Sequence, residues 1–170
     1  MARVPPADGT GEVADRIRRR RNGELTPLDD VLLHSAPLAD GWNSLLGAVR
    51  TGLNLPDDLR ELVILRVAAL TGAGYEWRAH EPLARAAGLS DDQVRALGED
   101  GDSTSLTPTQ RACVAYADAM TRAVQVPEAL FAEVLRHLGE QRTVELTGTI
   151  ATYNLVARFL LAMGIEPESS

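Results

Sequence analysis

Between Leu59 and Leu70 the chain reads LRELVILRVAAL, and a helix wound from those residues is apolar on nearly every side. A surface helix keeps one wet face, so this one is expected inside, surrounded by other helices. Glu61 then falls in or near the interior. An unpartnered buried carboxylate is costly enough that it takes up a proton, finds a cation or serves as a site. The plainer alternative is an acid shortly after Pro56-Asp57-Asp58 that the helix dipole favours.

Gly72-Ala73-Gly74 breaks that helix, because paired glycines carry a chain through conformations closed to other residues, and a second helix is expected from about Tyr75. Glu76 lies in its first turn. His80 follows four residues later on the same face, and the stripe continues through Leu83, Ala84 and Ala87, with Arg78, Glu81 and Arg85 on the opposite side. Two helices thus aim Glu61, Glu76 and His80 toward one point. Tyr75 and Trp77 flank Glu76, and an aromatic wall with a polar tip suits an apolar organic ligand. Tyr153 and Asn154 interrupt the apolar pattern of the last helix and are placed on the far side of the same cavity, whereas Trp42 reads as core or subunit contact.

At these residues the chain resembles the carboxymuconolactone decarboxylase family, which includes the alkylhydroperoxidase D proteins. The resemblance rests on Glu61, a twelve-residue step to Ala73, then Tyr75-Glu76-Trp77, His80, Leu83-Ala84 and Gly88-Leu89-Ser90. It runs more loosely from Pro37 to Gly164, including the stretch from Tyr153 to Leu160. It implies an all-α, alkylhydroperoxidase D-like domain of about seven to eight helices, assembled as a homotrimer or homohexamer. In the peroxidase branch the helix after the break opens with a CxxC pair and carries a His four residues after the second Cys. Here Ala73 and Glu76 occupy those two positions, so no redox disulfide can form there. Cys113, the single cysteine, has no resolving partner and reads as a small core residue. What remains resembles the decarboxylase branch.

A formal net charge of −7 speaks against general nucleic-acid binding. Arg18-Arg19-Arg20-Arg21 is a local exception, read as a solvated helix face or a strap over a neighbouring subunit because Glu12, Asp15 and Glu24 surround it. Residues 1–11 are rich in Pro, Gly and small polar side chains and are expected to be a disordered tail, followed by one domain over 12–165 and a short tail over 166–170. No secretory pattern follows the early arginines. Arg66 and Arg158 interrupt the best candidates for a membrane span, so the reading is a cytoplasmic protein without a membrane partner.

The punctuation is helical. Ser90 to Gln93 and Thr107 to Gln110 have the spacing of a capping box, the second with Pro108 in the first helical position. Helices are expected at about 12–21, 40–51, 57–71, 75–87, 91–97, 108–124, 128–138 and 143–163, with Gly98 to Ser105 as a polar loop. There is no alternating strand pattern and no nucleotide-binding fingerprint.

The leading functional expectation is a cofactor-independent, carboxymuconolactone decarboxylase-like lyase that works by acid–base chemistry on a small organic acid, lactone or enolisable carbonyl compound. His80 is the proton donor, because an unperturbed imidazole exchanges protons near neutral pH. Glu76 orients it and Glu61 relays a proton. Two other classes stay open: a metal-assisted hydrolase or oxidase, since two carboxylates and an imidazole form a ligand set, and a non-catalytic helical scaffold. No metal is assigned.

Overall fold

The computed structural model describes residues 2–21, 23–98 and 100–166. Among them the structure is all-helical, and it divides into two compact units: residues up to Leu53 together with those from Leu160 onward, and Asn54–Phe159.

In the first unit, α1 (Glu12–Arg20) and α2 (Pro27–Leu32) both pack on α3 (Ala36–Thr51). The sequence reading has no counterpart for α2, a six-residue helix whose capping box uses Asp29 instead of the usual Glu or Gln. It also starts α3 four residues late, since Pro37 sits in the first turn, where no N–H is needed. Trp42 is buried on α3. The arginine run is mostly engaged within its own unit: Arg18 pairs with Asp15 at 3.4 Å, Arg20 bonds Asn43 at 2.5 Å, and Arg21 pairs with Asp29 at 2.6 Å. The N-terminal stretch is tied at three points, from Arg3 N–H to the Met163 carbonyl, from Ala7 N–H to the Asp30 carbonyl, and from His34 Nε2 to the Pro5 carbonyl. Of the expected C-terminal tail, residues 167–170 lie outside the described residues.

The second unit is built around α4 (Asp57–Thr71), which packs on both α5 (Gly74–Ala86) and α7 (Pro108–Asp118). Its residues from Glu61 to Ala68 are all buried, as the apolar run requires. Gly72 ends α4 with φ of 71°, a left-handed cap that glycine adopts without steric cost. Ser90 and Thr107 cap α6 (Asp91–Ala96) and α7 with both halves of the capping box formed. The expected continuation of α7 to residue 124 is instead a π turn, Ala119–Ala123, closed by Val124 at φ of 66°. The last helix, α8 (Glu128–Met163), is broken at Gly139, whose φ of 74° and ψ of 172° are not helical.

Two polar links reinforce this unit. Arg66, buried on α4, makes a two-pronged bond to Asp118 at 2.6 and 2.7 Å and donates to the Leu97 and Gly98 carbonyls. Asn154 on α8 donates to Thr121 in the π turn at 2.9 Å. By length and mean hydropathy, 1.2 in its most apolar window, α8 could cross a membrane, but half of that window is buried within the protein.

Candidate active site

Three helices of the second unit bring the expected residues together. Glu61 stands on α4, Glu76 and His80 on α5, and Tyr153 on α8, and all four are at most 3% exposed. The buried line on α5 runs through Glu76, His80 and Ala84, and Ala73, just before the helix, is buried as well. Leu83, expected on that inward stripe, is instead 50% exposed. At about 100° per residue it lies ~60° from His80, beyond the ~40° at which Glu76 and Ala84 still turn inward.

His80 is held on both ring nitrogens. Nδ1 lies 2.6 Å from Glu61 Oε2, a short bond of the charge-assisted kind. Nε2 faces the Tyr153 hydroxyl at 3.2 Å and Glu76 Oε2 at 3.3 Å. Charge-assisted N–H···O bonds fall near ~2.7–2.9 Å, so Glu76 stands farther from the ring than Glu61, and both its contact and its charge favour the imidazolium. Its Oε2 is buried without a hydrogen-bond partner. The Tyr153 ring meets the imidazole edge-on, at 90° with centroids 5.0 Å apart.

Burial of the ring disfavours the imidazolium, yet contact with Glu61 and Glu76 and the charge of both outweighs that penalty. The His80 pKa is therefore raised above its ordinary 6.5. The chain of contacts extends outward, because Arg60 Nε reaches Glu61 Oε1 at 3.3 Å and Arg60 Nη1 reaches the exposed Asp57 at 2.6 Å. Sequence reasoning passed over Arg60. Its signal was there in the Asp57/Arg60 spacing of three and in its adjacency to Glu61.

The other expected site residues divide. Tyr75 and Trp77 are half-buried beside Glu76 in the chain. Asn154 is buried but turns to Thr121, to the Ile150 carbonyl at 3.1 Å and to Arg158 at 2.5 Å. As for a metal, the two carboxylates bracket the ring from opposite nitrogens instead of converging beside one. Among the described residues no group of three His, Cys, Asp or Glu side chains is arranged to hold an ion. Cys113 is buried on α7, and burial, with the Asp58 charge, pushes its thiol up to about 12.

Residues 36–119 match the sequence profile of the carboxymuconolactone decarboxylase family. The chain belongs to that family. A curated relative, the uncharacterized protein YdfG of Bacillus subtilis (strain 168), is 26% identical over 107 residues, which is 62% of this chain and 73% of the relative. Among solved structures, an uncharacterized peroxidase-related protein from Silicibacter sp. TM1040 aligns with a TM-score of 0.80 at 16% identity, covering 99% of this chain and 94% of that one. An uncharacterized peroxidase-related protein from Ralstonia eutropha JMP134, described as an alkylhydroperoxidase AhpD core, gives 0.79 at 19%, covering 99% and 93%. The debrominase Bmp8, solved without ligand, gives 0.76 at 20%, covering 91% and 83%. At these identities the structures establish the shared helical fold of this carboxymuconolactone decarboxylase family member.

Proposed function

We propose that this chain is a cofactor-independent acid–base enzyme acting on a small organic acid, lactone or enolisable carbonyl compound, by decarboxylation, isomerisation or a related proton transfer. The observation that carries the reading is His80, buried between Glu61 on Nδ1 and the Glu76 and Tyr153 pair on Nε2. A scaffold would be served by an exposed histidine of ordinary titration; this one is 2% exposed with a raised pKa. A thiol peroxidase needs an accessible thiolate, and neither Ala73, Glu76 nor the buried Cys113 supplies one.

The distances favour an exchange of the roles expected for the two carboxylates. Glu61, at 2.6 Å, fixes the ring and keeps a proton on Nδ1, which makes Nε2 the working nitrogen. Glu76 and Tyr153 share the Nε2 side, where substrate chemistry belongs. In a decarboxylation, the bond to the departing carbon dioxide breaks and its electron pair spreads onto the conjugated carbonyl oxygen. The Nε2 proton then passes to carbon, and the neutral imidazole regains a proton from water. A positioned acid of this kind is worth about 10²–10⁴-fold in rate.

The test begins with mass-spectrometric identification of any small molecule released when the purified protein is denatured. Turnover of that compound should fall by about 10²-fold or more in His80→Ala, while Arg85→Ala, on the exposed face of α5, stays near the parent. Near-full activity in His80→Ala would end the reading.

Assembly as a homotrimer or homohexamer belongs to the same proposal. The sequence argument for it was the all-round apolar helix, but α4 is already covered within the chain. Its support lies instead in exposed apolar side chains elsewhere, including Leu83, Phe131, Leu155 and Val144, the last 71% exposed.

A further inference from the structure

Glu61 and Glu76 flank one imidazole, yet their oxygens are used differently. Glu61 spends Oε2 on His80 Nδ1 and Oε1 on Arg60. Glu76 Oε2 is buried with no hydrogen-bond partner, in a side chain 3% exposed. Native proteins seldom bury a carboxylate oxygen without giving it a bond, so such an atom calls for a role. Its surroundings limit what that role is: Nε2 of the ring stands 3.3 Å away, and the Tyr153 hydroxyl is 3.2 Å from that same nitrogen. An uncommitted carboxylate lone pair therefore lies beside two groups able to donate a hydrogen bond.

A base placed next to hydrogen-bond donors is the equipment for removing a proton from carbon beside a carbonyl, because the base takes the C–H proton while the donors meet the oxygen on which charge develops. Building on the acid–base reading above, we infer that Glu76 is the base that removes a proton α to the carbonyl of an uncharged ketone or lactone, with His80 Nε2–H and the Tyr153 hydroxyl receiving the carbonyl oxygen. The Glu76 carboxylate forms an O–H bond as the C–H bond breaks. The C–H electron pair becomes the enolate double bond, and the carbonyl π pair moves onto oxygen. Return of a proton from Glu76 to the far carbon of the enolate shifts the double bond and restores the carboxylate, with no oxidant or reductant consumed, whereas exchange of that proton with solvent before its return to the α carbon labels that carbon in D2O. An uncharged substrate fits best, since a carboxylate at the reacting carbon would have to approach the Glu76 anion.

The experiment uses the full chain and two probes, 3-cyclohexenone and α-angelica lactone, whose double bonds move into conjugation after loss of an α proton. Conversion is followed by ultraviolet absorbance, and deuterium uptake from D2O at the α carbon by proton NMR. The parent protein should accelerate both over buffer, and Glu76→Gln, checked for folding by circular dichroism, should lose about 10²-fold or more of that acceleration, with Glu76→Asp regaining part of it. Parent-level conversion by Glu76→Gln on both probes, or conversion and uptake by the parent protein no faster than in buffer, would overturn the inference. Carbon dioxide release from a carboxylated lactone separates the two ideas. Release that depends on His80 without any action on the probes sinks the role of Glu76 alone, whereas probe conversion and release both unaffected by His80→Ala sink the acid–base reading beneath it.

Discussion

Replacing Glu61 by Gln isolates what the buried ion pair does for the fold, because Gln fills the same volume and can still accept from His80 Nδ1 but carries no charge. In the parent protein the pair is 2.6 Å long and both side chains are at most 4% exposed, so water screens it little. Removing one partner of a buried pair costs about 3–5 kcal/mol. For a chain of this size that corresponds to a melting temperature lower by about 6–20 °C. The pH dependence is the sharper part. Since the folded-state pKa of His80 is raised above 6.5, the imidazolium's stabilising contribution is complete below that value and is lost as pH rises through the raised one. In Glu61→Gln the burial penalty, the largest influence on the ring, is opposed by Glu76 alone. The gap between parent and variant should therefore be widest near about pH 6, where the parent imidazole is charged. In alkaline buffer both imidazoles are neutral, and the gap should shrink to what the exchanged hydrogen bond to His80, ~0.5–1.5 kcal/mol, and the pH-independent contact with Arg60 contribute. Thermal melts followed by circular dichroism in the two buffers measure it directly. A gap that stays constant, or widens as pH rises, would mean that His80 is not stabilised as a cation by Glu61 and would refute the reasoning.

Two further outcomes are expected. Cys113→Ala should leave turnover unchanged and the protein without thiol peroxidase activity, and the parent thiol should resist a disulfide reagent until the chain is unfolded, because it is fully buried with its pKa pushed up to about 12. Light scattering at micromolar concentration should show an assembly larger than a monomer, which the exposed Val144 and Leu83 would help to bury; monomer alone would count against it.

The fold was legible wherever one local signal sufficed. The unbroken apolarity of Leu59 to Leu70 placed α4 inside, two capping boxes marked the starts of α6 and α7, and the glycine break put Glu76 and His80 one turn apart on α5. The misses have physical causes as well. Helix α2 is too short to show a period, and the π turn at Ala119–Ala123 keeps helical composition while changing its hydrogen bonding. Leu83 reads as inward from spacing alone, since spacing shows which residues share a face but not how far the neighbouring helices cover it. The same limit applies at the site. Spacing brought Glu61, Glu76 and His80 together, but only the folded distances show which carboxylate holds Nδ1 and which stands beside Nε2. Tyr153 and Asn154, adjacent in sequence, had the same standing until a ~100° turn of helix sent one to His80 and the other to Thr121.

The resemblance to the peroxidase branch makes the exchange at position 76 the decisive chemical difference. A cysteine beside His80 and a glutamate beside His80 both gain from the imidazolium's charge, since each is most useful as an anion. A thiolate, however, can give up electrons to form a disulfide, while a carboxylate can only take and return a proton. With Ala73 in the first position of the former pair, the electron route is closed at both places at once. Proton exchange is the work proposed for this pair of residues, and the surrounding atoms suit it: a ring fixed at Nδ1 by Glu61, a phenol at its Nε2, and a buried carboxylate oxygen without a hydrogen-bond partner. If the neighbourhood served only to stabilise the fold, Glu76 would be expected to spend that oxygen as Glu61 spends both of its own. The inequality between two carboxylates on one imidazole is the structural reason to look for a substrate proton at Glu76.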